Sequence, residues 1–139
     1  MYRPSAFAVD DVSVLHDVIR GRVFATIAAV RDGAVAFAYA PLVLDAGNGP
    51  QGGICFHLAI GNPLAKLEDG ARVSISLMAA DAYVSPDWYR KLVTVPTWNY
   101  IAVEGEGAVR RISREELRKL VIDLSAQEEA KLLAKEPWR

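Results

Sequence analysis

Residues 22–44 read RVFATIAAVRDGAVAFAYAPLVL, and their pattern is the clearest indication of a β fold in this chain. Two runs rich in β-branched and aromatic residues flank the tripeptide Arg31-Asp32-Gly33. An Asp-Gly pair supplies the positive φ that a tight hairpin turn requires. We therefore predict a β-hairpin with strands at Arg22–Val30 and Ala34–Leu44.

The segments on either side of the hairpin predict further short elements. A helix of about three turns, capped by Asp10 or Asp11, should end at Gly21. A glycine-rich loop, Asp45–Gly53, follows the hairpin. Beyond it we expect a strand at Ile54–Ile60, a short helix at Leu64–Glu68 and a strand at Arg72–Ala79.

The second half of the chain contains an aromatic segment, a strand and a long helix. Asp81–Pro96 has no clear period, holds several aromatic residues and is interpreted as a surface loop that packs on a ligand or a second subunit. Thr97–Ile112 has strand character, and Gly105 and Gly107 predict a bulge or bend. Ser113 with Glu116 forms a capping-box pattern, which predicts a helix over about 113–135.

These elements predict a mainly β protein with an N-terminal helix and a long C-terminal helix. Short antiparallel strands with few helices can avoid open edges by closing into a small barrel. A chain of 139 residues is long enough for one core. We therefore expect a single domain over residues 1–139, with the barrel over about 22–112.

Composition narrows the possible functions. The formal net charge is −1, so bulk attraction to nucleic acid is not expected. No apolar stretch approaches the roughly 20 residues of a membrane span, and the N-terminus lacks a signal-peptide pattern. With Cys55 as the single cysteine, these features predict a cytoplasmic protein. Two distant histidines and one cysteine give no metal-ligand spacing, and no catalytic set of residues is evident.

Several motifs, in order along the chain, resemble one family. They are Phe24–Ile27, His57-Leu58-Ala59 with Asn62-Pro63, Ala82–Pro86 with Trp88-Tyr89, and Val95-Pro96-Thr97-Trp98-Asn99-Tyr100. The last motif is the most specific, because it is contiguous and contains the rare residue tryptophan. The pattern resembles the PaiB-type family of FMN-binding split-barrel proteins, often labelled FMN-binding negative transcriptional regulators.

The resemblance implies a split barrel of the pyridoxamine-phosphate-oxidase type, a homodimer, and FMN sites at the subunit interface. The residues expected at the flavin are Thr26, His57, Asn62, Lys66, Ser85, Trp88, Tyr89, Thr97, Trp98, Asn99 and Tyr100. If residues 97–100 form a strand, Trp98 and Tyr100 share one face and can stack on the flavin ring, while Asn99 points the other way. Packing of the barrel or the dimer interface is an equally open role for these residues.

The chain departs from the family pattern where the phosphate site is expected. Ala38-Tyr39 replaces a Thr-His pair, and Ile60 replaces a common arginine. A phosphate site needs converging cations, hydroxyls and backbone N–H groups, so these changes predict a weaker site for the FMN phosphate. Lys66 is the nearest basic candidate and Arg72 the second, although both suit a solvated surface. Family members also run longer at the C-terminus, so we expect a short or truncated variant.

Three hypotheses for function remain open. The first is a flavin-binding regulator that affects transcription indirectly, because no DNA-binding motif is evident and direct DNA binding is not expected. The second is a flavin-dependent oxidoreductase or flavin reductase. The third is a flavin-free dimeric barrel that acts through protein contacts, which the changes at Ala38, Tyr39 and Ile60 motivate.

Overall fold

The predicted hairpin forms around residues 31–34. In a computed structural model of the protein, β1 (Phe24–Arg31) and β2 (Ala34–Asp45) pair antiparallel, from Arg31 opposite Ala34 to Phe24 opposite Pro41. Asp32 has φ 52° and Gly33 has φ 79°. Two successive positive φ values match the turn type whose twist suits a two-residue hairpin connection.

The structure describes residues 2–89 and 95–132, and these form one five-stranded antiparallel sheet with two α-helices. The sheet order is β3-β2-β1-β4-β5. The remaining strands and helices are α1 (Val12–Gly21), β3 (Gly53–Phe56), β4 (Arg72–Val84), β5 (Thr97–Ala108) and α2 (Arg114–Glu129). Short 3-10 helices cover Ser5–Phe7, Pro63–Lys66 and Pro86–Trp88.

One face of the sheet carries the core, and we call it the inner face. Alternate residues of each strand point to it, as expected from the two-residue period of a strand. The buried set is Ala25, Ile27, Ala29, Ala38, Ala40, Leu42, Leu64, Val73 and Leu77. The opposite face, which we call the outer face, is largely exposed.

Helix α1 packs beside the inner face and confirms the helix predicted before Gly21. The Asp11 carboxylate accepts hydrogen bonds from the Ser13 hydroxyl at 2.7 Å and from the Ser13 backbone N–H at 2.9 Å, and these bonds hold the pKa of Asp11 below its usual range. His16 Nε2 lies 2.9 Å from the Gln51 carbonyl oxygen. This contact ties the helix to the loop between β2 and β3.

The capping box predicted at Ser113 is confirmed. The Ser113 Oγ accepts from the Glu116 backbone N–H at 3.1 Å, and the Ser113 N–H donates to the Glu116 carboxylate at 2.7 Å. The helix that follows ends at Glu129, earlier than the predicted boundary near residue 135. Residues 133–139 lie outside the described part of the chain.

Several strand predictions need correction, among them the end of β5, which lies at Ala108 and not at Ile112. Strand β3 ends at Phe56 and not at Ile60, because the chain turns there and the Asn62 N–H donates to the Ala59 carbonyl before the next 3-10 helix. Strand β4 continues to Val84, well into the segment predicted as a loop, because it pairs with β5. The register shift between these strands lies between Met78 and Asp81, and the bulge predicted at Gly105 and Gly107 is absent from the pairing.

The sheet edges in the described residues are β3 and β5. They do not pair with each other in this part of the chain, so the closure expected of a barrel is not made by these two strands. One cavity of about 820 Å³ is nevertheless lined by both edge strands and by α1. The sheet therefore curves enough to bring its two edges to the same space.

Candidate functional site

The predicted aromatic motif lies on a two-stranded extension of the sheet. We define the ribbon as Asp81–Val84 of β4 with Thr97–Tyr100 of β5, and among the described residues these segments pair only with each other. Strand β1 pairs with β4 further down, at Ser74–Ser76. Within the ribbon Trp98 lies opposite Tyr83, and their rings meet edge to face with centroids 6.1 Å apart.

The ribbon and the 3-10 helix that follows β4 expose a group of large aromatic side chains. Trp98 is 60% exposed. The other members are Tyr83, Trp88, Tyr89 and Tyr100. A two-stranded hairpin without a covering layer is marginally stable, and exposed apolar patches commonly mark interaction sites. The ribbon therefore has the character of a surface that another molecule covers.

The outer face of the sheet carries a second set of exposed residues. Directly opposed residues in an antiparallel sheet share a face. Tyr39, Thr26, Ser76 and Glu104 therefore form one row across β2, β1, β4 and β5. We call this the hydroxyl row. The parallel row beside it consists of Phe37, Ala28, Ser74 and Glu106.

The two surfaces lie far apart within one chain. Thr26 lies opposite Ser76 of β4, whereas Trp98 lies opposite Tyr83 of the same strand. Ser76 and Tyr83 are seven residues apart along β4, which corresponds to roughly 20 Å. The predicted flavin residues Thr26 and Trp98 consequently cannot touch the same ring within one chain.

The other predicted residues divide between capping positions and the cavity. The Asn62 side chain accepts from the Leu64 N–H at 2.9 Å, and the Ser85 hydroxyl accepts from the Asp87 N–H at 3.3 Å, so both cap 3-10 helices. His57 follows β3 and lines the cavity, with Nδ1 buried and without a hydrogen-bond partner among the described residues. Asn62 and Ser85 therefore have local structural roles, whereas the described residues give His57 no such role.

The only basic residue among the predicted set lies away from the hydroxyl row. Lys66 lines a shallow pocket of about 470 Å³ together with Arg31 and Ala36. Ala36 is on the inner face, because it is opposite buried Ala29. The Arg31 guanidinium already donates to the Pro63 carbonyl and contacts the Asp32 carboxylate at 3.4 Å. This pocket does not supply a cation to the outer face.

The described residues therefore suit some parts of a flavin better than others. Exposed aromatic rings suit an isoalloxazine ring, and the hydroxyl row suits a polyol chain. Of the residues considered for the FMN phosphate, Ala38 is buried on the inner side and contributes no polar atom, and the Arg72 guanidinium pairs with Glu106 at 3.3 Å. Tyr39, Ser76 and Glu104 were missed as candidates, because the register between strands places them beside Thr26 and no local pattern in the sequence gives that register.

Other kinds of site find little support in residues 2–89 and 95–132. No group of three or more His, Cys, Asp or Glu side chains in these ranges is placed to hold a metal ion. Burial raises the pKa of the Cys55 thiol, with the Asp45 carboxylate as a smaller cause, so the reactive thiolate is disfavoured. Within the same ranges, none of the helices has the length and apolar character needed to cross a membrane.

The curved antiparallel sheet with its flanking helices defines a split-barrel protein. A flavin-related structure shares this fold: an FAD and heme binding protein from Mycobacterium smegmatis aligns with a TM-score of 0.62 and 23% identity, over 89% of this chain and 58% of that one. The chain belongs to the family described as "Putative FMN-binding domain", which matches residues 1–139. This family membership confirms the resemblance drawn from the motifs.

A curated relative is also similar. The "protease synthase and sporulation protein PAI 2" of Bacillus subtilis is 28% identical over 118 residues, which are 84% of this chain and 56% of that protein. The chain therefore spans about half the length of the relative that it matches.

Proposed function

We propose that the protein binds a flavin between two copies of the chain, with the ribbon of one copy lying over the outer face of the other. The family and the flavin-binding structural neighbour support the choice of a flavin. Thr26 and Trp98 lie roughly 20 Å apart along the strands of one chain, and this separation supports a site formed by two copies. The outer face and the ribbon are both exposed. The ribbon supplies Trp98 and Tyr100 as aromatic rings, and the outer face supplies the hydroxyl groups of Thr26 and Ser76.

The residues have separate tasks in this arrangement. Trp98 and Tyr100 of one copy stack on the ring, and Asn99 meets a polar edge or the neighbouring strand. Thr26 and Ser76 of the other copy provide hydroxyl groups at the end of the ring. Trp88 and Tyr89 limit access of water to the site. A bound flavin would supply hydride and electron transfer, while the protein contributes binding and orientation.

Titration with FMN and riboflavin tests flavin binding. Binding should quench flavin fluorescence because an indole stacks on the ring, and Trp98→Ala should weaken binding by about tenfold, the effect of losing one stacking contact of roughly 1–1.5 kcal/mol. Phe7→Ala is a matched control, since Phe7 is an exposed aromatic residue on the 3-10 helix Ser5–Phe7. Absence of quenching with either flavin would refute the proposal.

The same preparation separates the alternative functions. Bleaching of bound flavin by NADH or NADPH would support an oxidoreductase, and a dimer that binds no flavin would support a barrel acting through protein contacts. For the regulatory role we propose an indirect route, consistent with the net charge of −1. A sequence-specific gel shift with the pure protein would contradict an indirect route.

A further inference from the structure

The register between β4 and β5 shifts by one residue just before the ribbon begins. Met78 and Asp81 are the paired residues of β4 on either side of this shift. Between them β4 has Ala79 and Ala80, whereas β5 has only Ile101 between the corresponding partners. An extra residue in one strand of a pair is a β-bulge, and bulges re-aim the side chains that follow them.

The bulge decides which residue Tyr83 faces. If the pairing at Met78 continued unbroken, Tyr83 would lie opposite Thr97. Trp98 would then point to the other face of the ribbon, because successive side chains of a strand alternate. With the extra residue, Tyr83 lies directly opposite Trp98 and shares a face with it. Their rings meet edge to face, with centroids 6.1 Å apart and an angle of 66° between the planes.

The Arg22 side chain supports the bulge. Its guanidinium donates a hydrogen bond to the Ala79 carbonyl oxygen at 3.2 Å. Strand β1 pairs with β4 at Ser74–Ser76, short of Ala79, so Arg22 gives this carbonyl a donor from outside the strand pairing. Because Arg22 lies just before β1, the hydrogen bond ties the bulge to the central strand of the sheet.

The edge-to-face contact holds the Trp98 indole without covering both of its faces. In such a pair the partner occupies at most one face of a ring, so one face of the indole stays free. Trp98 is 60% exposed and Tyr83 is 47% exposed, which agrees with a free face. A side chain whose orientation is fixed before a ligand arrives loses less conformational freedom on binding.

We propose that Tyr83 is a positioning residue of the flavin site, which fixes the Trp98 indole through their edge-to-face contact, and that the bulge held by Arg22 turns Tyr83 towards Trp98. This inference rests on the proposed flavin site, in which Trp98 stacks on the ring. Tyr83 does not itself contact the flavin in this arrangement.

Titration with FMN in a double-mutant cycle tests whether Tyr83 acts through Trp98. Tyr83→Ala should weaken FMN binding by about two- to fivefold, the effect of losing one aromatic pair. In the Trp98→Ala background the same substitution should have no further effect, because no indole is left to position. Tyr83→Phe keeps the ring and should bind FMN as the wild type does. Tyr2→Ala, which removes an exposed tyrosine outside the ribbon, is the matched control.

Near-ultraviolet circular dichroism of the flavin-free protein tests the contact independently of any ligand. This spectrum reports aromatic side chains held in fixed packing. Tyr83→Ala and Trp98→Ala should each reduce the signal, since each removes one ring of the pair. Tyr83→Phe should retain the contribution of Trp98, and Tyr2→Ala should leave the tryptophan signal unchanged.

Arg22→Met tests the support of the bulge. It should weaken the binding of riboflavin and of FMN by similar factors of a few-fold, because the Ala79 carbonyl loses its donor and the bulge relaxes. Riboflavin has no phosphate, so an effect on riboflavin cannot come from lost attraction between Arg22 and a phosphate. Arg20→Met is the matched control, since the Arg20 guanidinium contacts Asp17 within α1 at 3.0 Å.

The outcomes separate this inference from the proposed function. Equal weakening by Tyr83→Ala with and without the Trp98 indole would mean that Tyr83 contacts the flavin directly, and would overturn the positioning role. Unchanged FMN binding in Tyr83→Ala would also overturn it, and a loss in Arg22→Met confined to FMN would assign Arg22 to the phosphate instead of the bulge. Failure of both flavins to bind the wild type would refute the proposed function, while the near-ultraviolet spectra would still decide whether Tyr83 fixes Trp98.

Discussion

Thr26 and Ile27 are neighbours in the sequence, yet they serve different surfaces. The Ile27 side chain is 0% exposed at the centre of the inner face, whereas Thr26 joins the hydroxyl row on the outer face. The cause is the two-residue period of β1, which turns successive side chains to opposite sides of the sheet. One residue of register shift would exchange the core with the candidate site.

Burial at the residue scale leads to a stability prediction. Ile27→Ala should lower the free energy of unfolding by about 2–5 kcal/mol, because it removes buried methyl groups and leaves a cavity. Val30→Ala on the same strand should change it by roughly 0.5 kcal/mol or less, since Val30 is 70% exposed. Urea unfolding followed by circular dichroism measures both variants, and similar losses for the two would contradict this account of the core.

At the scale of elements, α2 depends on a local contact that titrates. The Ser113 backbone N–H donates to the Glu116 carboxylate and holds the pKa of Glu116 below its usual range, with smaller contributions from the Ser113 hydroxyl and Arg110. A carboxyl whose pKa is lowered by folding stabilises the folded state above its unfolded pKa. That stabilisation is lost as the pH falls through the folded pKa.

We therefore expect Glu116→Gln to lower the unfolding midpoint at pH 7 and to have a smaller effect as the pH falls towards 3. Thermal unfolding across this pH range measures the change, with Glu115→Gln as the control. Glu115 is in the same turn but does not close the capping box. A difference between wild type and Glu116→Gln that does not vary with pH would rule out the titrating contact.

The ribbon shows how an element can exceed what its local sequence indicates. Residues 81–84 follow a register shift after Met78, and this irregularity hides the strand period in the sequence. Pairing with Thr97–Tyr100 nevertheless keeps them extended. The long strand β4 thus extends the aromatic motif beyond the part of the sheet in which β1 pairs with β4.

At the scale of the whole molecule, no part of residues 2–89 and 95–132 covers the ribbon or the outer face. A dimer in which each ribbon covers the partner's outer face would bury both surfaces. Stable interfaces bury roughly 800 Å² on each partner, with aromatic residues enriched at their centres. We propose this arrangement for the homodimer that the family resemblance implies.

Substitution on the outer face tests the dimer. Phe37→Glu should convert a dimer into a folded monomer, because it would bury a carboxylate at the interface. Ile122→Glu, at a similarly exposed position on α2, should remain dimeric. Light scattering coupled to size exclusion measures the mass, and a monomeric wild-type protein or a dimeric Phe37→Glu variant would contradict the arrangement.

Features that depend on neighbouring residues could be predicted from the sequence. The Asp32-Gly33 turn, the helix after Asp11 and the capping box at Ser113 each involve groups within a few positions of one another, so local patterns were sufficient. The family motifs likewise identified the fold, because they are contiguous and specific. The extent of β4 and the placement of Thr26 and Trp98 on separate surfaces became clear from the tertiary structure alone. These features depend on which strands pair and in which register, and strand partners such as Ser76 and Glu104 are too distant in the chain for a local pattern to specify them.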